Sequence, residues 1–362
     1  MSCSNGSPED TGSADVDRRR LQGLLHWHFS EETGSPFWLD KKPELDFDPL
    51  RDIASFDDLE RFPDVTESLR STPIEDLIPR GVDRDALVGI FESGGTTGTP
   101  KRVAVTQQWW TSLLEWSAQQ LEHSGFPCGG AWLGLVPQGP HVVGRLFADT
   151  ARRFGAIPLT VDLDPRWVKT LLRDGDRNGA DAYSRHLTQQ AVTILESQDI
   201  RVLTITPALI ETGVQNQRFL DLVRNKVKAI RWGGTHLDPA THRYFREELF
   251  PGIAIHGHYG NTMTLGIGSE RRDEENPDGM VFDSFSPWTS YRVVDQAGNP
   301  VDYGTRGQVR TSHISESAFI PNNLERDTAI RVPALPGHVG DAVSSVAAVG
   351  AFADVPVIEG VY

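Results

Sequence analysis

Residues 93–101 read Ser93-Gly94-Gly95-Thr96-Thr97-Gly98-Thr99-Pro100-Lys101. The glycines have no Cβ atom, so backbone N–H groups can approach a ligand closely and can adopt positive φ. The hydroxyl groups are hydrogen-bond donors suited to phosphate oxygens, and successive N–H groups in such a loop form an anion-binding concavity. Lys101 adds a mobile point charge. The stretch therefore predicts a loop that binds phosphate.

Apolar runs flank this loop on both sides. Residues 87–91 predict a short buried strand that enters it, and residues 102–105 predict a strand that leaves it. A P-loop would have Gly before its lysine and would open a helix, whereas Pro100 precedes Lys101 here. The dinucleotide-binding pattern G-x-G-x-x-G is absent. A flexible Ser/Gly/Thr linker is the alternative, and the close apolar flanks disfavour it.

Three further motifs follow in chain order. Gly233-Gly234-Thr235 comes directly after an apolar run at 227–232, and His258-Tyr259-Gly260-Asn261-Thr262 comes after another at 253–256. Gly340-Asp341 lies near the end of the chain. With the glycine-rich loop, these motifs resemble the adenylate-forming superfamily of acyl-CoA synthetases, peptide-synthetase adenylation domains and luciferases. The resemblance spans residues 85–345.

The resemblance implies ATP and Mg²⁺ as cofactors and gives each motif a role. The loop would hold the β- and γ-phosphates, Thr262 the α-phosphate, and Asp341 the ribose hydroxyls. Tyr259 would stack on adenine. Lys101, Thr262 and His141 are the predicted catalytic residues. The full predicted nucleotide set is Ser93, Gly94, Gly95, Thr96, Thr97, Gly98, Thr99, Gly233, Gly234, Thr235, His258, Tyr259, Gly260, Asn261 and Asp341.

Ordinary structural roles remain open for four of these residues. Lys101 could be a solvated lysine at a strand start, and Tyr259 could be a core aromatic. Asp341 could be a turn residue, and Thr262 an ordinary cap or turn hydroxyl. Met263 departs from the family pattern, because the residue after that Thr is usually a Glu that helps to hold Mg²⁺. Magnesium would then rest on phosphate oxygens and water, and no protein metal site is predicted.

The acyl pocket is predicted from the segments that line it in the superfamily. His141 follows a Gly-Pro turn and could face the carboxylate or a ring substituent, although a packing histidine fits equally well. Trp232, Gly234 and Gly260 complete the predicted substrate-binding set. A flat wall of aromatic and glycine surface suits a planar ring. We therefore expect an amino- or hydroxybenzoate-like acid or a phenazine carboxylate. The alternative is that Trp232 packs in the core and the pocket is a narrow aliphatic tunnel.

Composition narrows the class of protein. The chain has 362 residues with 38% hydrophobic and 23% charged residues, which is typical of a globular protein. A net charge of −15 argues against a nucleic-acid or anionic-membrane partner. The polar, acidic start has no apolar core and is not a signal peptide, so a cytoplasmic protein is expected.

The order of patterns predicts an α/β fold. Residues 1–17 are predicted to be a disordered tail. Residues 18–279 form the large adenylation core, in which mainly parallel sheets are covered by helices. Residues 280–362 form a smaller antiparallel β subdomain that ends at the hinge. The mobile C-terminal subdomain of the superfamily is predicted to be absent, as in the small stand-alone adenylating proteins of phenazine antibiotic biosynthesis. The start of the chain is similar to the phenylacetate-CoA ligase branch.

These observations predict an enzyme of secondary metabolism, an ATP-dependent acid ligase that forms an acyl-adenylate and pyrophosphate. The acyl group would pass to a small nucleophile or a partner enzyme. An acyl-CoA ligase is one alternative, and a non-catalytic nucleotide- or acid-binding protein is another. Half of a split ligase, supplied with a C-terminal subdomain in trans, also stays open, as does a homodimer.

Overall fold

Two antiparallel strands, β1 (Leu87–Glu92) and β2 (Arg102–Thr106), frame the glycine-rich loop. The structure is a computed structural model that describes residues 14–93, 99–264, 266–272, 280–349, 351–352 and 355–356. Both strands agree with the sequence prediction to within one residue. The loop residues Gly94, Gly95, Thr96, Thr97 and Gly98 lie outside the described residues.

Helices precede and separate the strands of the main sheet, in keeping with the predicted α/β order. Thr106 caps α4, because its side chain accepts a hydrogen bond from the Trp109 N–H. The helices are α1 (Ala14–Phe29), α2 (Pro36–Lys41), α3 (Ile74–Leu77), α4 (Gln107–His123), α5 (Val142–Arg153), α6 (Pro165–Arg173), α7 (Arg177–Ser197), α8 (Pro207–Gly213), α9 (Gln217–Lys226) and α10 (Pro239–Tyr244), with a π-helical turn at Phe245–Leu249 and short 3-10 turns at Lys42–Glu44, Phe56–Arg61, Ser68–Arg70 and Arg84–Ala86.

One prediction at the start of the chain needs correction. The composition predicts a disordered tail through residue 17, but α1 already begins at Ala14. Asp17 and Arg20 lie three residues apart, 3.8 Å between charged atoms, and such a pair stabilises a helical turn. Residues 1–13 of the predicted tail lie outside the described residues.

Five parallel strands form the first part of the main sheet, in the order β4-β3-β5-β6-β7. Helices α4 and α5 cover one face, where Trp132, Phe147 and Phe154 are buried. Helices α7, α8 and α9 cover the other face. The strands are β3 (Ala131–Leu135), β4 (Ile157–Val161), β5 (Ile200–Ile205), β6 (Ala229–Trp232) and β7 (Ala254–Asn261).

The sheet continues beyond β7 with antiparallel strands, in the order β8-β9-β13-β12-β11-β10. A further pairing between β10 and β13 curls these last strands towards a barrel. The predicted boundary at 279/280 adjoins residues 273–279, which are not described. The strands are β8 (Gly266–Arg271), β9 (Val281–Asp283), β10 (Thr289–Val294), β11 (Arg306–Ile314), β12 (Phe319–Pro333) and β13 (Asp341–Ala348). Two further strands, β14 (Ala351–Phe352) and β15 (Val355–Pro356), pair with each other in a separate antiparallel sheet.

Residues 14–80 wrap around an aromatic cluster. Phe29, Trp38 and Phe62 pack around Phe319 of β12, with ring centroids 5.0–5.3 Å from it. The Trp38 indole N–H also donates to the Phe319 carbonyl at 2.8 Å. Met263 is buried in the same cluster, 3% exposed. The N-terminal segment is therefore tied to the antiparallel strands rather than to the parallel ones.

Gly134 in β3 gives a test of how α5 packs on the parallel sheet. A Cβ atom placed there would lie 2.8 Å from the Phe147 ring of α5, so Gly134→Ala should destabilise the protein by about 1–3 kcal/mol through overpacking. Denaturant unfolding measures the change. Gly23→Ala in α1 is the matched control, because nothing lies within 4 Å of that Cβ position and a helical alanine stabilises by up to about 1 kcal/mol. Equal stability of wild type and Gly134→Ala would contradict the packing described here.

Candidate active site

A cavity of about 270 Å³ opens at the carboxyl ends of the parallel strands. In open α/β sheets, ligands bind in the crevice outside these strand ends. Its apolar wall comes from α4 and α5, including Leu113, Val143 and Phe147. Its other side comes from the strand ends and the loops that follow them. Polar lining residues are Ser93, His141, Lys169, Thr204, Thr206, Arg231, His258, Asn261 and Thr262.

Of the fourteen predicted site residues that the structure describes, nine line this cavity. Those that line it are Ser93, His141, Trp232, Gly233, Gly234, His258, Gly260, Asn261 and Thr262. Thr99, Lys101, Thr235, Tyr259 and Asp341 are not among its lining residues. Segments that are far apart in the sequence, at 93, 141, 232–234 and 258–262, therefore meet at one place.

Backbone hydrogen bonds close the base of the glycine-rich loop. The Ser93 N–H donates to the Lys101 carbonyl at 2.9 Å, and the Lys101 N–H donates to Ser93 Oγ at 3.1 Å. Burial lowers the pKa of Lys101, while the nearby Glu325 carboxyl acts in the opposite direction. Lys101 is thus a partly buried cation at the root of the loop, next to Glu325 of β12.

Glycine is required at each of the two positions after β6, for a different geometric reason. A Cβ atom on Gly233 would lie 2.8 Å from the His258 carbonyl oxygen, so only glycine lets the two chains approach this closely. Gly234 has φ of +86°, a conformation that side chains disfavour. Thr235 follows with a buried Oγ1 that has no hydrogen-bond partner among the described residues.

Two acidic residues of β12 hold the motif at the end of β7, and the sequence analysis missed both. The Tyr259 hydroxyl donates to Asp327 at 3.0 Å, and the Asn261 amide donates to Glu325. Thr311 also donates to Glu325, at 2.8 Å. Tyr259 and Asn261 are two residues apart on β7, and Glu325 and Asp327 are two residues apart on β12. On each strand, this spacing puts both side chains on the same face. The alternation Glu325-x-Asp327 was the available signal, but its meaning depends on which strand lies opposite.

His141 and Glu92 connect the loop to the cavity wall. The Glu92 N–H donates to the Pro140 carbonyl at 2.8 Å, which places His141 at the start of α5. Arg166 bonds the Glu92 carboxylate at 2.6 Å. Burial, and then the charge of Arg166, lower the pKa of His141. His141 is therefore favoured in its neutral form, in which it can both donate and accept a hydrogen bond.

Trp232 borders the cavity, but its indole packs in the core. The ring lies over Gly257, where a Cβ atom would be 2.6 Å from it, and its centroid is 5.8 Å from His242 and 6.0 Å from Phe282. Only 5% of Trp232 is exposed. These contacts match the core-packing alternative given for this residue. Phe147 of α5 is the aromatic side chain that lines the apolar wall.

Three polar residues that line the cavity come from neighbouring strands. Thr204 of β5 and Arg231 of β6 are register partners, and His258 lies on β7. Arg231 is 5% exposed and its Nε–H donates to His258 Nδ1 at 3.2 Å. Burial, and then the charge of Arg231, hold the pKa of His258 well below its usual range. Sequence reasoning noted His258 and missed Arg231, because a single basic residue in an apolar run carries no motif.

Two other predicted positions have structural contacts. The Asp341 side chain is fully buried and accepts from Arg331 Nε at 2.9 Å and from the Val293 N–H at 3.3 Å. Its predicted contact with ribose stays a prediction. Met263 packs in the N-terminal aromatic cluster, so this position supplies an apolar contact in place of the usual carboxylate.

Within the described residues, no three His, Cys, Asp or Glu side chains are grouped closely enough to hold a metal ion. None of the helices in that part of the chain has both the length and the apolar character that a membrane span requires.

The chain belongs to the family of AMP-binding enzymes, whose family model matches residues 30–315. These are adenylate-forming enzymes, so the chain is an acid ligase of this superfamily. No curated protein matches the chain in sequence.

Solved structures agree on the fold. One is 2-hydroxyisobutyryl-CoA ligase in the postadenylation state with 2-HIB-AMP, at 17% identity and a TM-score of 0.63, covering 94% of this chain and 72% of that chain. Another is an open conformation of that ligase with 2-HIB-AMP and CoA, at 16% identity and a TM-score of 0.63, covering 95% and 79%. The predicted α/β adenylation fold is confirmed.

The titration of Glu325 gives a stability prediction. Burial, and then the charge of Asp327, raise the pKa of Glu325 from 4.5 to about 7. Between these values the folded protein keeps a proton that the unfolded chain releases, so this group's contribution to stability falls as pH rises. The slope is at most about 1.4 kcal/mol per pH unit.

Glu325→Gln should remove this slope and so raise stability relative to wild type more at pH 8 than at pH 5. Urea unfolding at four pH values measures the difference between the two proteins, which cancels the titration of the buried histidines. The exposed Glu247→Gln is the matched control. Parallel curves for wild type and Glu325→Gln would contradict the prediction.

Proposed function

We propose that this enzyme adenylates a small aromatic carboxylic acid at the expense of ATP. The observation that carries the proposal is the convergence of Ser93, Gly233-Gly234 and Gly260–Thr262 on one cavity. The cavity has an apolar wall on one side and hydrogen-bonding groups on the other. Such a combination fits an acid with an apolar body next to the phosphates of a nucleotide.

The chemistry requires alignment more than acid–base work. A carboxylate oxygen of the acid attacks the α-phosphorus of MgATP, the bond from that phosphorus to the bridging oxygen breaks, and pyrophosphate leaves. Thr262 would hold the α-phosphate, and the loop with Lys101 would hold the β- and γ-phosphates. Magnesium enters as part of the MgATP substrate. His141, Thr262 and Lys101 are the proposed catalytic residues, and Tyr259, Thr235 and Asp341 are proposed for the nucleoside.

The size and walls of the cavity support a small acid. About 270 Å³ lies just below the usual range of small-molecule pockets. Leu113 and Val143 line it beside the Phe147 ring, which can pack against a planar substrate. An amino- or hydroxybenzoate-like acid fits this description better than a long acyl chain does. A phenazine carboxylate, and a role in antibiotic biosynthesis, rest only on the resemblance in sequence.

Two proposals differ in the molecule that accepts the acyl group from the adenylate. Transfer to a small nucleophile or a partner enzyme is proposed first. Thioester formation is the second candidate, because the structurally similar 2-hydroxyisobutyryl-CoA ligase is described with CoA. Adding CoA, hydroxylamine or neither to the purified protein with ATP and the acid separates them by the product formed.

We expect aminohydroxybenzoates to release pyrophosphate at least about tenfold faster than hexanoate or longer fatty acids, since rigid rings fill a short cavity better than flexible chains do. The assay measures ATP-dependent pyrophosphate release across both sets of acids, with hydroxylamine to trap the acyl-adenylate. Faster release with hexanoate would end the aryl-acid proposal. Binding of ATP and acid without any pyrophosphate would instead support a non-catalytic binding protein.

Lys101→Ala should lower the rate of pyrophosphate release roughly tenfold or more, because a cation that stabilises the β- and γ-phosphates as they leave is lost. Lys228→Ala is the matched control, since its side chain is exposed and lies outside the cavity lining. Circular dichroism and thermal melting report whether both variants fold. A folded Lys101→Ala protein with wild-type activity would exclude this role.

A further inference from the structure

Thr204, Arg231 and His258 form a polar floor to the cavity. Thr204 is opposite Arg231 in the parallel register of β5 and β6, and Arg231 is opposite His256 in the register of β6 and β7. His258 follows His256 by two residues, so it lies on the same face of the sheet. All three residues are at least 90% buried, and all three line the cavity.

The contact with Arg231 fixes the tautomer of His258. An arginine side chain has only hydrogen-bond donors, so the nitrogen that receives its Nε–H must be unprotonated. That nitrogen is His258 Nδ1, at 3.2 Å. The ring proton of the neutral imidazole therefore lies on Nε2, which makes Nε2 a donor. The lowered pKa of His258 agrees with a neutral ring.

This donor has no partner within the described part of the chain. His258 Nε2 is buried without a hydrogen bond, and so is the Thr204 hydroxyl. A buried polar group without a partner costs about 1–3 kcal/mol, so such groups in a cavity wall indicate a ligand that satisfies them. The Arg231 guanidinium adds positive charge beside them. The floor therefore favours a ligand atom that accepts hydrogen bonds.

The floor is also separated from the place of reaction. An extended strand rises about 3.3 Å per residue, which puts His258 roughly 10 Å along β7 from Asn261, the last residue of that strand. Thr262, the proposed α-phosphate contact, comes directly after it. One carboxylate cannot reach both places. A benzene ring that carries polar groups at opposite positions spans such a distance with its hydrogen bonds at each end.

From this geometry we infer that the acid carries a second oxygen group, remote from the reacting carboxylate, which accepts hydrogen bonds from His258 Nε2–H and the Thr204 hydroxyl beside Arg231. A hydroxyl or a second carboxylate has this chemistry. An amino or methyl group at the same position lacks it. The inference rests on the proposed function, because it concerns the acid that the cavity activates.

The experiment compares benzoates that differ only at the meta or para position: hydrogen, methyl, amino, hydroxyl and carboxylate. For each acid, pyrophosphate release gives kcat/KM and calorimetry gives the affinity. We expect the hydroxyl- or carboxylate-substituted benzoate to have a kcat/KM and an affinity about tenfold or more above those of unsubstituted benzoate. The amino-substituted benzoate should show no such gain. Comparing hydroxyl with carboxylate identifies which oxygen group the floor accepts.

Two variants remove the donors separately. His258→Phe should reduce the preference for the oxygen-substituted acid about tenfold, and Thr204→Val about threefold. The matched control is His256→Gln, which replaces a buried histidine of the same strand outside the cavity lining. Both nitrogens of His256 already bond, to Ser124 at 2.7 Å and Ser269 at 2.8 Å. The preference of His256→Gln for the oxygen-substituted over the unsubstituted acid should equal that of the wild type, even if the variant is less stable.

Equal kcat/KM and equal affinity for the substituted and unsubstituted acids would overturn the inference, as would a preference that survives in both Thr204→Val and His258→Phe. If hydroxylated aliphatic acids win over all benzoates, the aromatic part of the proposed function fails and the inference holds. If no acid releases pyrophosphate, the proposed function fails, and the calorimetric ranking of the same acids still decides the inference.

Discussion

Strand β7 belongs to two kinds of sheet at once, and the site depends on this. Its first half pairs in parallel with β6, through Ala254 to Gly257. Its second half pairs antiparallel with β8, through His258 to Asn261. The strand therefore leaves the parallel sheet at the residues that border the cavity. Glu325 and Asp327 of β12 then fix the side chains of Asn261 and Tyr259 from the antiparallel side.

Charge is distributed unevenly around the cavity. The whole chain has a net charge of −15, which opposes the binding of a nucleotide and an acid. Among the described residues that line the cavity, Lys169 and Arg231 are basic and none is acidic. The carboxyl groups of Glu325 and Asp327 lie behind the lining, on β12. A locally positive cavity in an acidic protein draws anionic ligands to this place and away from the rest of the surface.

The α/β sheet was predictable from the sequence because it depends on local patterns, and nine of the predicted site residues line the cavity. Apolar strands, helix caps and the glycines at 233 and 234 each act within a few residues. Local patterns do not show which strands that are distant in sequence lie side by side, so contacts between such strands could not be predicted. Glu325 and Asp327 gain their meaning only once β12 is known to lie near β7. Residues 14–17 were mistaken for disorder because a polar composition hides a helix that a buried neighbouring segment supports.

The chemistry of the cavity depends on which of two neighbouring residues of β6, Arg231 or Trp232, faces it. Neighbouring residues of a strand point to opposite faces, so Arg231 and Trp232 cannot both have their side chains in the cavity. The indole lies over Gly257 on the core side, and the Arg231 guanidinium contacts His258 on the other side. The sequence interpretation chose the aromatic residue and gave the pocket a flat apolar wall. The fold gives that place to a buried cation, and the apolar wall comes instead from α5, where Gly134 leaves room for Phe147. The cavity thus combines an apolar side and a hydrogen-bonding floor, and its specificity lies in the strand positions that the motifs do not include.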